Sequence, residues 1–346
     1  MKKETTIYDI AKILQISPAT VSRALSDHPA INHKTKQTIV STAAELGYRS
    51  NKFASNLRRK STSTLGVIVP RLDSSFMSAV LAGMESVANK AGYNLLISQS
   101  LESGSKERNN ARTMYDSRVD GLLVSLAYDT QGFEHFENFI AKEVPILFFD
   151  RIFDHPRCGG IVIDNQLAGY EITKHLIDQG CKHIVHITGN LSRNVYADRY
   201  QGYRNALEAY GLPFEESFVI ETNLFQDSGE DAIAKVLAMG GAPDGLFIAN
   251  DICAVSCVKE LKRLGYRIPE DIAVVGFNND PVSEVVEPNL TTVHYPGREM
   301  GEMAVKTMID HLNGTAVMNT QDIAVMPHAL ILRDSSSKLT PNQISI

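Results

Sequence analysis

The chain has 346 residues, enough for two or three domains, and its 43% hydrophobic and 21% charged residues are typical of a globular protein. No run of about 18 apolar residues occurs and the N-terminus lacks the apolar stretch of a signal peptide, which argues against a membrane span and predicts a cytoplasmic protein. The net charge of −6 is uneven, because the first sixty residues hold eleven Lys or Arg against four Asp or Glu; a basic segment before an acidic body is typical of proteins that bind polyanions.

Three short helices are predicted within the first fifty residues. Apolar residues recur at helical spacing over residues 7–14, and Ser17 and Pro18 are typical of the cap and first turn of a second helix. Asn32 is a suitable cap for a third helix, which ends near Gly47. Two helices joined by so short a turn predict a helix-turn-helix motif.

The second helix has a polar face that no core requires. Val21 belongs to its apolar stripe, whereas Ala19, Ser22 and Arg23 lie on the opposite side. In a helix-turn-helix this face enters the major groove of DNA, where Arg23 can reach a guanine and hydroxyls can bind phosphates. The alternative is a three-helix bundle with a merely solvated face, and the basic charge of the segment favours DNA.

Residues 49–64 form a basic segment that is too polar to fold alone. We expect cations such as Arg58 to follow the phosphates, so that the segment becomes ordered only on DNA. Leu57 is an apolar residue among these cations, and minor-groove binders insert such a side chain between base steps. The alternative is an exposed linker leucine.

From residue 65 onwards the pattern alternates short apolar strands with helices. Such runs predict parallel sheets covered on both faces. Because the alternation starts twice, we expect an α/β body of two doubly wound subdomains with a ligand cleft between them. The strand-like runs are 65–70, 93–98, 120–126, 144–150, 160–164, 183–189, 217–221, 244–250 and 271–279.

Polar residues stand where several of these strands end, which is the edge at which doubly wound sheets bind ligands. Paired amides and carboxylates suit the hydroxyls of a sugar, and Arg199 adds a cation at a helix start. Each residue alone has an alternative role as a helix cap or turn residue, but several together favour a binding site. The candidates are Asp150 with Arg151, Asn250 with Asp251 and Asn278 with Asn279, and as weaker ones Ser125 and Asp164 with Asn165.

Common signatures of catalysis are missing from the sequence. GxGxxG after the first strand, GxxxxGK[ST] and GxSxG do not occur. His183 and His186 lie three apart in a predicted strand and face opposite sides, so they cannot share a metal ion. The four cysteines form no CxxC and are expected to be reduced thiols. We therefore expect no enzyme activity, no cofactor and no metal.

The stretches "TIYDIAKILQISPATVSRAL", "AAELGYRSN" and "ASNLRR" resemble the lactose/galactose-repressor family of bacterial transcriptional regulators, and the resemblance continues to about residue 334. It implies a hinge helix from which Leu57 enters the minor groove. One departure is Gln15, where the family's turn usually has glycine; a left-handed backbone there costs about 1 kcal/mol more than with glycine. The implied base contacts are Pro18, Ala19 and Arg23, and the implied contacts to the sugar-phosphate backbone are Thr6, Ser17, Ser22, Tyr48 and Asn51.

In the body, "VPILFFDR", "VIDNQLAG", "DRYQGYRNAL", "LFIAND" and "PEDIAVVGFNND" carry the same resemblance. It implies an effector pocket lined by Phe76, Asp150, Arg199, Asn250 and Asn278. The family usually has an acid at the position of Asn278, whose amide can both donate and accept hydrogen bonds. Family members dimerise through these subdomains, and the extra helix that makes some of them tetramers is not evident.

The sequence is thus interpreted as a cytoplasmic, homodimeric regulator, a repressor, that binds double-stranded operator DNA under the control of a small effector, a sugar or sugar derivative. The alternatives are a free periplasmic-type sugar-binding protein and a purine-responsive regulator of the same fold. The expected boundaries are a helix-turn-helix domain over 1–49, a hinge over 50–63, an effector-binding and dimerisation domain over 64–334 and a disordered tail over 335–346. Within the body we expect a periplasmic-binding-protein-like arrangement, with one subdomain formed by 64–164 and 293–322 and the other by 165–292 and 323–334.

Overall fold

The structure is a computed structural model that describes residues 5–48, 61–240, 242–318 and 323–338. The chain divides into two units between Thr62 and Ser63, and each has its own apolar core. The described part of the first unit consists of three helices, α1 (Ile7–Leu14), α2 (Pro18–Leu25) and α3 (His33–Glu45). They enclose a small core of six buried residues: Ile10, Ala11, Val21, Ala24, Ile39 and Ala43.

Side-chain caps fix where these helices begin. The Ser17 hydroxyl accepts a hydrogen bond from the Thr20 amide at 3.1 Å, and the Asn32 side chain accepts one from the Thr35 amide at 2.8 Å. Helix α1 ends at Gln15, whose φ of 52° and ψ of 41° are left-handed. This position therefore still has the left-handed conformation that glycine adopts most easily, which is the condition under which Gln15 makes the turn more costly.

The second unit alternates strands and helices along most of its length. Its strands are β1 (Thr64–Val69), β2 (Asn94–Gln99), β3 (Gly121–Val124), β4 (Ile146–Phe149), β5 (Gly159–Ile163), β6 (Ile184–Thr188), β7 (Val219–Glu221), β8 (Gly245–Ile248), β9 (Ala273–Val275), β10 (Thr292–His294), β11 (Ile323–Met326) and β12 (Ala329–Ile331). Its helices are α4 (Ser75–Lys90), α5 (Gly104–Asp116), α6 (Glu137–Ala141), α7 (Asn165–Asp178), α8 (Asn194–Ala209), α9 (Ser228–Leu237), α10 (Asp251–Arg263), α11 (Val282–Val285) and α12 (Gly297–Leu312).

These strands form two parallel sheets and a short antiparallel pair. The first subdomain contains a six-stranded sheet in the order β11-β5-β4-β3-β1-β2, and the second contains a four-stranded sheet in the order β7-β6-β8-β9. The antiparallel pair is β10 with β12. The two doubly wound subdomains expected from the sequence are confirmed, and each of the nine strand-like runs contains a strand.

The chain passes between the two sheets more than once. It leaves the first sheet after β5, returns to it as β11 and then passes back to the second, where residues 334–336 form a short 3-10 helix. Strand β11 pairs with β5, with Ile323 opposite Gly160. The sequence boundary that placed residues 323–334 in the second subdomain was therefore wrong for 323–326, because a four-residue strand carries no signal of its distant partner.

The segment that follows β12 is packed against the second sheet. The Ser335 hydroxyl donates to the Val274 carbonyl at 2.6 Å and accepts from the Thr291 amide at 2.9 Å, and Ser335 and Ser336 are fully buried. The expectation of a disordered tail was thus wrong for residues 335–338, since these hydroxyls replace the hydrogen bonds that water would supply. Residues 339–346 lie outside the described part.

Two helices of the first subdomain approach each other closely through glycine. Helix α12 packs on α4, and a Cβ added to Gly301 would lie 1.9 Å from the Val80 carbonyl oxygen. The contact is possible only because Gly301 has no side chain, so α12 and α4 pack with their backbones in direct contact.

Candidate functional site

One face of α2 is exposed in the first unit. Ala19 and Arg23 are exposed on it, and Ser22 is half-buried. Within the described part of this unit, the Arg23 guanidinium makes no ion pair, although Lys36 does pair with Asp27 on another side. Because Arg23 is exposed and forms no ion pair within the described part of this unit, its charge is available to an external acceptor.

The other predicted contacts of this unit also serve its structure. The Thr6 hydroxyl donates to Asp9 at 2.7 Å, and the Ser17 and Thr20 hydroxyls are 2.8 Å apart. Pro18 forms the first turn of α2, and Tyr48 is half-buried against the core. The structure places these side chains on one small domain; the predicted contacts Asn51, Leu57 and Arg58 lie outside the described residues.

A cavity of about 710 Å³ lies between the two sheets of the body, where the strands of both end. Five of the six predicted effector contacts line it: Phe76, Asp150, Arg199, Asn250 and Asn278. The sixth, Ser125, is fully buried and donates its hydroxyl to Asp150 at 3.2 Å, so it supports the cavity wall.

Asp150 is fixed by hydrogen bonds on both carboxylate oxygens. One oxygen accepts from the Tyr295 hydroxyl at 3.1 Å and the other from Ser125. The backbone of Asp150 has a φ of 59°, which turns the chain directly after β4. A carboxylate held in this way is a rigid acceptor for donors that enter the cavity.

Arg199 is the central cation of the site and is only 3% exposed. Its Nε donates to the Asn165 side chain at 2.9 Å and its Nη1 to the Ala249 carbonyl at 2.8 Å. Burial lowers its pKa, but a guanidinium remains charged at neutral pH. In the described ranges no carboxylate forms an ion pair with Arg199, so its charge is available to an acceptor in the cavity.

Asn250 and Asn278 are used differently from each other. Asn250 caps α10, because its Oδ1 accepts from the Cys253 amide at 2.8 Å and its Nδ2 donates to the Leu224 carbonyl at 3.0 Å. Asn278 has a φ of 111° and its side chain is hydrogen-bonded to Asp280. Burial raises the pKa of Asp280 to about 6, and the bond from Asn278 opposes that rise. Helix capping is the alternative to ligand binding that the sequence leaves open for these residues. Asn250 does cap a helix, and it also lines the cavity.

Aromatic rings and paired charges complete the lining, and sequence reasoning missed several of them. Arg71 lies 4.3 Å from the centre of the Phe225 ring and donates through Nε to Asp73 at 2.8 Å. The strand-end rule could have found Arg71, which follows β1 at a distance of two residues. Phe225, in contrast, lies in the loop after β7, where no pattern marks it. The missed residues also include Glu102, Tyr128 and Tyr196.

His186 and the cysteines, which the sequence analysis considered for metal binding or redox chemistry, are buried. His186 is fully buried, and its burial lowers the pKa to about 3. All four cysteines are buried free thiols. Within the described ranges, no three or more His, Cys, Asp or Glu side chains are placed to hold a metal ion, and no helix is long and apolar enough to cross a membrane.

Comparisons with known proteins agree with both parts of this arrangement. Residues 6–51 match the family model for bacterial regulatory proteins of the lacI family, and residues 173–336 match that for a periplasmic binding protein-like domain. Catabolite control protein A of Priestia megaterium is 31% identical over 332 residues, which cover 96% of this chain and 99% of that protein.

Two solved structures share the whole architecture. The lac repressor dimer bound to operator and an anti-inducer is 25% identical, covers 96% of this chain and 99% of its own, and has a TM-score of 0.85. The complex of the transcriptional regulator CelR with cellobiose is also 25% identical, covers 96% and 100%, and has a TM-score of 0.73.

Proposed function

Because this chain belongs to the lacI family of bacterial regulatory proteins and is a DNA-binding regulator of transcription, we propose that a carbohydrate in the body cavity controls its affinity for operator DNA. One observation carries the proposal: the cavity places the buried Arg199 cation, the fixed Asp150 carboxylate and the Asn278 amide around one space. Adjacent hydroxyls of a sugar donate to a carboxylate and accept from a guanidinium, so this set suits a neutral polyol.

The aromatic lining supports the same ligand class. Phe76 lines the cavity, and its ring is tilted against that of Tyr295, with ring centres 4.4 Å apart. Tyr295 lies behind the lining, where its hydroxyl donates to Asp150. An aromatic face packs against the apolar C–H face of a pyranose while polar groups bind its edge. CelR, whose structure was solved in complex with cellobiose, has the same architecture, which agrees with this class.

On the DNA side, we propose that α2 reads bases in the major groove. Arg23 supplies the hydrogen bonds, while Pro18 and Ala19 supply apolar contacts, for example to a thymine methyl group. The proposed backbone contacts are Thr6, Ser17, Ser22, Tyr48 and Asn51, with Leu57 in the minor groove and Arg58 on the phosphates. The protein then acts in the cytoplasm as a homodimer on a roughly palindromic site, because a two-fold dimer doubles the contacts of one motif.

Two measurements on the full-length protein test the proposal together. A thermal-shift screen of sugars, sugar phosphates and purines identifies a compound, and a mobility-shift assay on genomic fragments with and without it measures the coupling. We expect a sugar hit that changes DNA affinity by about 5- to 150-fold. Arg199→Ala should abolish the thermal shift, whereas Arg204→Ala, on the exposed face of the same helix, should not.

Other outcomes distinguish the alternatives. A tight sugar complex with no retarded DNA fragment would favour a free sugar-binding protein. If a purine is the sole hit, the ligand is not a carbohydrate, but the protein is still a ligand-controlled regulator. A ligand that binds the cavity and leaves DNA affinity unchanged contradicts the control mechanism, because equal affinity for both states shifts nothing.

A further inference from the structure

The segment that leads into α8 binds the opposite subdomain through its side chains. We define residues 190–196 as the strap. Arg193 Nη2 donates to the Thr130 carbonyl at 2.6 Å. The Asn194 side chain donates to the Asp150 carbonyl and accepts from the Ile152 amide, each at 3.0 Å. These three bonds join the start of a second-subdomain helix to two loops of the first subdomain.

Tyr196 extends the strap into the cavity wall. Its hydroxyl lies 3.0 Å from the Tyr128 hydroxyl and accepts from Arg151 Nη2 at 3.1 Å. Arg151 is itself held by Glu102, with an Nη1 to carboxylate distance of 2.8 Å, and lies 4.3 Å from the centre of the Tyr128 ring. Tyr196 of the second subdomain therefore contacts the Arg151–Glu102 ion pair and the Tyr128 side chain of the first.

These contacts come from the protein's own atoms. A net intramolecular hydrogen bond favours the bonded form by a factor of roughly two to ten. Five such bonds from Arg193, Asn194 and Tyr196 act together, because the three residues belong to one helical turn and open or close as a unit. The Arg71 contact with Phe225 adds another bridge between the subdomains.

The closed arrangement also has one cost. Arg151 Nε is buried and has no hydrogen-bond partner in the described part of the chain. An unsatisfied buried donor favours any small opening that admits water. This unpartnered nitrogen therefore lowers the free-energy cost of opening the strap.

We propose that the strap holds the cleft closed when no small molecule is present, so that a ligand enters by transient release of the strap instead of triggering closure. The inference goes beyond the proposed control by a carbohydrate, since it concerns the conformation of the empty cleft. It rests on contacts within the body, and it holds or fails whichever compound or DNA the protein binds.

The test measures the distance between the subdomains without ligand or DNA. Lys106→Cys on α5 and Ala234→Cys on α9 place spin labels on exposed helix positions of the two subdomains, and the four native thiols are buried. With labelled chains diluted by an excess of unlabelled protein, so that a dimer carries at most one labelled chain, double electron–electron resonance should give one narrow distance distribution for the protein with the wild-type strap. The strap variant Asn194→Ala/Tyr196→Phe should shift the distribution to longer distances by several ångströms or broaden it at least about twofold.

The matched control is Gln201→Ala, which removes a hydrogen bond to Asn205 at 2.7 Å on the exposed face of the same helix. It should leave the distribution unchanged. The single change Tyr196→Phe, which keeps the ring and removes only the hydroxyl, provides a milder variant should the double variant unfold, and it should broaden the distribution less. A broad or long distribution with the wild-type strap overturns the proposal, as does an unchanged distribution in the strap variants or an equal effect of Gln201→Ala. None of these results bears on DNA binding or sugar binding.

Discussion

The guanidinium carbon of Arg199 lies 3.6 Å from the centre of the Phe277 ring, so this cavity cation packs against an aromatic face. Its hydrogen bonds to Asn165 and Ala249 come from different nitrogens of one planar group. A lysine keeps the charge but cannot make both bonds from that position. The position of Arg199 therefore depends on the geometry of the guanidinium as well as on its charge.

Arg199→Lys should therefore lower the free energy of unfolding by about 1.5–3 kcal/mol, the value of one buried hydrogen bond to a charged group. Urea denaturation of the full chain measures the loss. Arg204→Lys, on the exposed face of the same helix, should change it by less than about 0.5 kcal/mol. Equal effects of the two substitutions would show that the fixed geometry of Arg199 is unimportant.

Asn250 allows the roles of cap and ligand contact to be separated. Asn250→Ala should cost about 0.5–2 kcal/mol of stability, because the Cys253 amide loses its acceptor. Asn250→Ser keeps a capping oxygen and should recover most of that loss, yet it lacks the amide of asparagine. Calorimetry with the compound found by thermal shift should then show weakened binding in both variants. If Asn250→Ser binds as well as wild type, Asn250 is only a cap.

The turn of the DNA-binding unit offers a stabilising substitution. Gln15 has a left-handed backbone, in which a side chain is unfavourable, so Gln15→Gly should stabilise the unit by about 1 kcal/mol. Amide hydrogen exchange of α1 and α2 in the full chain should slow by roughly fivefold. Gln15→Ala retains a Cβ and serves as the control without this gain. Faster exchange in the glycine variant would mean that the added freedom of the unfolded chain outweighs the relieved strain.

Arg23 should contribute to base discrimination. Arg23→Ala should weaken binding to the cognate site by about 1–3 kcal/mol and relax selectivity at one base pair of each half-site, whereas binding to random DNA changes less. Fluorescence anisotropy at a fixed salt concentration on both DNAs measures this. Arg23→Lys keeps a cation for phosphates but lacks the two-pronged donor, so it should resemble alanine in selectivity. Equal losses on cognate and random DNA would make Arg23 a phosphate contact only.

His186 should make part of the stability dependent on pH. Its burial lowers the pKa from 6.5 to about 3, so below pH 6.5 the unfolded chain gains a proton that the folded chain does not. The neutral His186 therefore makes its full contribution to the free energy of unfolding above pH 6.5. Between pH 6.5 and 3 the free energy of unfolding falls by about 1.4 kcal/mol for each pH unit. Urea melts between pH 7.5 and 4.5 should show a shallower acid loss for His186→Gln. An identical pH slope in the variant contradicts the assignment.

The strand-end rule located much of the cavity because buried strands end sharply in sequence. Asp150 directly follows β4, and Asn250 comes two residues after β8, so an apolar run followed by a polar pair marks each position. The rule says nothing about how a side chain is used. The Asn250 amide is engaged in capping and the Ser125 hydroxyl supports Asp150, and such roles depend on neighbours that only the folded chain provides.

Residues contributed by helices and loops could not be found in that way. Tyr196 lies in the first turn of α8, where an aromatic residue looks like part of a helix core, and its contact to Arg151 depends on how the subdomains meet. Strand β11 was assigned to the wrong subdomain for a similar reason: its partner β5 lies about 160 residues earlier in the chain. Long-range pairing is set by the whole sheet and leaves little trace in a four-residue segment.

The position of β11 has a consequence for the order in which the protein is made. A ribosome releases all four strands of the second sheet, which ends with β9 at Val275, before it synthesises Ile323, the first residue of the outer strand of the first sheet. The emerging chain therefore carries an incomplete first sheet, with the edge of β5 uncovered, throughout synthesis of the second. Of the two parallel sheets, the one that begins first in the sequence is completed last.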